Sequence, residues 1–260
     1  MRRLAVAAVL VLAAAAATAG QNCERRQPDA LAVQRSLELA EHTARALDAS
    51  SAHVVVLARA GQDLSRYGLR WSHLGWAYRD MQGGRPVWRV VHKLNHCGRA
   101  DAALYRQGLA EFFLGDLHEY AAAYAVPTAE VQQHLLALLA DNARVARLHT
   151  PAYSMVAYPW AQTYQQSNQW AIETLALAEE PAAASREQAQ AWLRSRGYAP
   201  TTLHIGALTR LGARAGMAHV AFDDHPNERR FTDRIDTVTV DSVFAWLERS
   251  GLAGRAQVLK

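Results

Sequence analysis

A chain of 260 residues, 50 % hydrophobic and 20 % charged, has the composition of an ordinary globular protein and enough length for one large domain or two small ones. Its 28 basic and 24 acidic residues give a formal net charge of +4. Loss of Arg2 and Arg3 with a cleaved leader leaves 26 − 24 = +2, which is no nucleic-acid footprint, so no nucleic-acid partner is expected.

Arg2 and Arg3 precede an uncharged apolar run, Leu4 to Ala17, and Ala17-Thr18-Ala19 supplies a small-x-small cleavage pattern. Residues 1–20 therefore read as a signal peptide, too short to cross ~30 Å of bilayer as a helix. The expected location is periplasmic or secreted, with no stable membrane span after cleavage. Cys23 and Cys97 are the two cysteines, and an oxidising compartment favours their pairing as a disulfide.

Val33, Leu37, Ala40, Ala44 and Leu47 recur at helical spacing and predict an amphipathic helix over 29–49. The β-branched run Val54-Val55-Val56-Leu57 predicts a strand over 53–60. Segments 70–79 and 87–94 read as strands joined at Gly83-Gly84, an antiparallel hairpin. From 100 to 148 the pattern is helical, with Leu104, Leu109, Phe112, Phe113 and Leu117 as one apolar set and a fresh start at Pro127-Thr128-Ala129-Glu130. Further on, 153–158 reads as a strand, 168–179 and 185–195 as helices, 220–223 as a strand, and 237–249 as a strand and helix. Glu179-Glu180-Pro181-Ala182-Ala183-Ala184 is the best linker. It divides a main domain, 21–180, from a C-terminal extension, 181–260, packed on it. The fold class expected is α+β: a small antiparallel sheet with packed helices.

Four places carry candidate chemistry. His73, entering an aromatic strand before Gly75, suits a general base but equally a core histidine. His92 would lie near it across the hairpin and could orient it, as a third triad member does. Ser167 precedes a helix, where free N–H groups and the dipole favour an anion; serine is also a preferred N-cap. Cys97, if free, could be a nucleophile with His219 as its base. His92, His96 and Cys97 lack a fourth metal ligand at a familiar spacing, so no metal and no cofactor are expected. Asp223-Asp224-His225 reads as a solvated turn.

Arg59-Ala60-Gly61-Gln62-Asp63-Leu64, Tyr67-Gly68-Leu69-Arg70, Ser72-His73, Leu94-Asn95-His96-Cys97-Gly98, Leu104-Tyr105-Arg106-Gln107-Gly108-Leu109, Tyr164-Gln165-Gln166-Ser167-Asn168-Gln169-Trp170 and Thr239-Val240-Asp241-Ser242-Val243 together resemble bacterial domain-of-unknown-function family 2145. That resemblance carries no activity with it. The order of a strand with Ser-His-x-Gly, a strand with a second histidine and a helix opening on a small polar residue is more distantly similar to the circularly permuted NlpC-like papain fold. This implies His73 as base, His92 as orienting residue, and Ser167 where those proteins place a cysteine. A serine is far harder to ionise than a thiol. The expected function is then an envelope hydrolase or acyltransferase acting on an amide or ester, the alternative being a non-catalytic envelope binding protein. Its envelope ligand or substrate is unknown.

Overall fold

Val54-Val55-Val56-Leu57 has no face left for water, because helices cover both sides of the sheet it centres. The computed structural model describes residues 28–115 and 117–260; the expected signal peptide and Cys23 lie outside them. Helix α1 (Ala30–Ala49), capped by the Asp29 side chain on the Ala32 N–H, leads into β1 (Val54–Ala60). Strands β2 (His73–Gln82) and β3 (Arg85–Asn95) form the expected hairpin. Gly83 and Gly84 both have positive φ, 56° and 77°, as the two-residue turn between Gln82 and Arg85 requires.

The expected helical stretch from 100 to 148 is overturned in its first part. Residues Ala102–Gly108 form β4, Leu109–Phe113 the short helix α2, and Glu119–Ala125 β5. Helices then follow as expected, α3 (Ala129–Leu139) and α4 (Asn142–Ala146). After a long loop come α5 (Ser167–Glu179), α6 (Arg186–Ser195), β6 (Thr201–His204), α7 (Ala207–Gly216), α8 (Asn227–Arg230), β7 (Arg234–Thr237), α9 (Val240–Arg249) and β8 (Gln257–Leu259).

Among the described residues the main sheet has the order β4-β3-β2-β1-β5-β8, every neighbour antiparallel, and β6 pairs with β7 separately. The α+β class therefore stands. Period-two alternation sends Leu74, Trp76 and Tyr78 to the face covered by α3, α5, α6 and α9. Ala77, Trp88 and Val90 go to the face covered by α1 and α2. Trp76 donates its indole N–H to the Ala171 carbonyl, 2.9 Å away, and so ties α5 to the sheet. Residues beyond the linker share this core: Val243, Trp246 and Leu247 of α9 pack with α5, and β8 extends the sheet beside β5.

The strands expected at 153–158 and 220–223 are loops instead. They do meet, but through a side chain: Ser154 Oγ donates to the Ala221 carbonyl and accepts from the Ala221 N–H. The turn at 223–225 is not fully solvated either. The Asp224 and His225 side chains are buried 3.0 Å from each other, Asp224 accepts from the Tyr158 N–H, and His225 Nε2 lies 3.1 Å from the Asp236 carbonyl.

Candidate functional site

Sheet geometry decides where the two hairpin histidines go. Continuing the Trp76↔Val91 pairing by one step sets Gly75 opposite His92 and makes His73 its diagonal neighbour. Both side chains lie on the α2 face, against Phe112, with ring centroids 5.9 Å and 5.2 Å from it. Gly75 makes room: a Cβ there would stand 2.9 Å from His92 Cβ. The structure thus brings His73 and His92 together, Nε2 of His73 being 2.8 Å from Nδ1 of His92.

The relay continues to Gln107 on β4, whose Oε1 lies 2.8 Å from His92 Nε2. A carboxamide oxygen only accepts, so His92 holds its proton on Nε2. Its Nδ1 is then an acceptor, and His73 must donate from Nε2. This leaves the lone pair of His73 on Nδ1. Gln107 went unrecognised in the sequence because its segment has a helical pattern. Its partner, a histidine on the neighbouring strand two residues out of register, leaves no local signal.

Burial holds His73 well below the usual imidazole range, with the Arg59 charge and then His92 adding to the effect. Burial likewise brings His92 down to about 4, with Arg59 lowering it further and the Gln107 bond opposing. Both rings are neutral at physiological pH. Unfolded histidines titrate near 6.5, so between 6.5 and about 4 the unfolded chain binds more protons. Stability from these rings is complete above pH 6.5 and is lost as pH falls. Replacing His92 by Gln should flatten the slope of unfolding free energy in that window by up to about 1.4 kcal/mol per pH unit. Urea titrations at pH 4.5, 5.5 and 6.5 measure it; an unchanged slope would mean His92 titrates normally.

Ser167 is the first residue of α5, not its cap. Gln166 caps the helix, its side chain accepting from the Asn168 N–H and pairing with Gln169 in a capping box. Ser167 lies beside Tyr153, whose phenol burial pushes above its usual range, with Ser167 opposing the shift. Asn168 anchors the helix start to the sheet: its Oδ1 accepts from the Leu74 N–H at 3.1 Å, one residue past His73. A pocket of about 120 Å³ lies between these elements, lined by His73 and Ser167 together with Arg59, Tyr153, Asn168 and His219. His73 and Ser167, 94 residues apart in the chain, therefore line one cavity, while the side-chain hydrogen bond of His73 runs to His92 rather than to Ser167. Cys97 also lines the pocket, and none of the described cysteines is a free thiol, which removes Cys97 with His219 as a nucleophile and base.

A family model described as an uncharacterized protein conserved in bacteria matches residues 46–247. The chain belongs to domain-of-unknown-function family 2145. The match spans every strand of the main sheet except β8, and it spans the whole pocket. No curated protein and no solved structure matches the chain. Among the described residues of this family member, no helix is long and apolar enough to cross a membrane.

Proposed function

We propose that this protein is an exported cell-envelope hydrolase or acyltransferase that attacks an amide or ester in the pocket between β2 and α5. The observation that carries the reading is the His73–His92–Gln107 relay, which leaves the lone pair of His73 on Nδ1, together with a cavity that His73 and Ser167 both line. Ser167 Oγ forms the new bond to the acyl carbon, and its proton passes to His73 Nδ1. The same proton then goes to the departing nitrogen or oxygen as the C–N or C–O bond breaks. Water, or a second acceptor, takes the acyl group from Ser167. As the first helical residue, Ser167 has a backbone N–H without an intrahelical partner, suited to the oxyanion. His92 and Gln107 position His73. A permuted papain-like ancestry is consistent with this order of elements, with serine replacing cysteine.

One observation favours a non-catalytic binding protein instead: the side-chain hydrogen bond of His73 runs to His92, and among the described residues none joins His73 to Ser167. A fluorophosphonate probe separates the two. The catalytic reading expects covalent labelling of Ser167, lost in Ser167→Ala and in His73→Ala, and a thiol in Ser167→Cys that alkylates at neutral pH only with His73 present. A folded protein that stays unlabelled, with an inert thiol in Ser167→Cys, leaves the binding reading.

Export rests on residues 1–20 and on a Cys23–Cys97 disulfide, which would tether the mature N-terminus to the pocket rim. Thiol titration of the purified mature protein should find no reactive thiol before reduction and two after. Two thiols in the native protein would overturn the pairing.

A further inference from the structure

The pocket's charge is one-sided. None of the described residues lining it is Asp or Glu, whereas Arg59 lines it and α5 presents its N-terminus there. His219, only 6 % exposed, also lines it, and its Nδ1 is buried without a hydrogen-bond partner. The Arg59 Nε is likewise buried and unpartnered, while one of the other guanidinium nitrogens bonds the Phe112 carbonyl. Buried polar atoms without partners cost free energy, and a ligand that supplies the partners recovers it.

Size narrows the ligand. An apolar cavity of about 150 Å³ takes up one benzene, so 120 Å³ admits a group of roughly six non-hydrogen atoms. A long acyl chain does not fit inside; one amino-acid-sized unit does.

We infer that the pocket recognises a small carboxylate, about one amino-acid residue in size, through His219 Nδ1–H, with the Arg59 guanidinium and the α5 N-terminus supplying the positive potential. This rests on the pocket being the working site proposed above, and it names the class of compound that enters it: the carboxylate end of a short peptide or acyl amino acid. Neither histidine ring needs a charge for this, since a neutral imidazole N–H suffices as donor.

N-acetyl-alanine and its neutral amide, N-acetyl-alaninamide, test it by calorimetry on the mature protein. The expected result is saturable binding of the acid, at least about tenfold tighter than the amide. His219→Phe should weaken the acid about tenfold, and His219→Asn, which keeps an N–H near the Nδ1 position, should restore most of it. Equal affinity for acid and amide overturns the inference, as does no binding of either. Inorganic phosphate binding more tightly than the acid overturns the carboxylate assignment. Fluorophosphonate labelling keeps the two proposals apart. Labelling of Ser167 that N-acetyl-alanine does not protect against sinks this inference alone. Carboxylate binding without any labelling sinks the catalytic reading alone.

Discussion

Glu173→Ala should destabilise the protein by about 3–5 kcal/mol, a large share of the roughly 5–15 kcal/mol that holds a folded domain together. Glu173 is fully buried on α5. Its Oε2 accepts from Gln165 Nε2 at 2.5 Å and from Arg186 Nε at 2.9 Å; its Oε1 accepts from Gln190 Nε2 at 2.7 Å. Arg186, itself 7 % exposed, also donates to the carbonyls of Ala161, Gln162 and Tyr164 and so clamps the loop before α5. Lys93 is buried beside them, donating to the Thr150 carbonyl and Gln165 Oε1. Two cations thus share one carboxylate. Burial, with Arg186 nearby, brings the Lys93 ammonium down to about 7, and Glu173 opposes that shift. Removing the carboxylate leaves a guanidinium buried without a counter-ion, the costly way to break a buried pair. Lys93→Met in the Glu173→Ala background should recover part of the loss, because it removes the second buried charge and keeps the volume. Urea midpoints measure both. A loss below about 1 kcal/mol in Glu173→Ala would show that water or rearrangement satisfies Arg186.

What the amino-acid sequence reveals follows from which signals are local. The hairpin of β2 and β3 is legible because aromatic and β-branched runs flank Gly83-Gly84, whose positive φ values no other residue adopts as readily. The helices α1, α3, α5, α6 and α9 announce themselves by spacing and by cap residues such as Asp29, Thr128 and Ser185. Strands β4 and β5 do not. Ala-Ala-Leu-Tyr-Arg-Gln-Gly and Glu-Tyr-Ala-Ala-Ala-Tyr-Ala are rich in helix formers, and it is pairing with β3 and β1 that makes them extended. Alanines serve β5 because both its faces are covered: Ala121, Ala123 and Ala125 meet the α5 side, Ala122 the α1 side. Misreading β4 hides Gln107, and misreading 153–158 as a strand hides Tyr153 as a neighbour of Ser167 in the pocket lining. The hairpin histidines are legible as a pair. The cap is misleading, because a glutamine one residue earlier performs the task that propensity assigns to serine.

Gly75→Ala should cost about 1–3 kcal/mol, and Gly75→Val more, although removing a strand glycine ordinarily stabilises. The sign is set by sterics. A Cβ at Gly75 would stand 2.9 Å from three atoms at once: His92 Cβ, Val90 Cγ1 and the Val91 carbonyl oxygen. The first belongs to a fully buried side chain, the second to a stiff β-branched one, and the third to the backbone of β3. None is a flexible tip that can swing away, so β3 must move. The same displacement pushes His92 off His73, and a bond of 2.8 Å does not survive a shift of that kind. Urea denaturation gives the stability term. Nitrogen chemical shifts of the imidazoles give the second: the native protein should show His92 protonated on Nε2 and His73 on Nε2, and Gly75→Ala should lose that fixed pattern at His73. Fluorophosphonate labelling, if Ser167 is the nucleophile, should fall in Gly75→Ala while the protein remains folded, because His73 then no longer holds one tautomer. A Gly75→Ala protein as stable as the parent, with both tautomers unchanged, would mean that β2 and β3 are farther apart at this crossing than a 2.9 Å contact allows, and the relay would lose its physical basis.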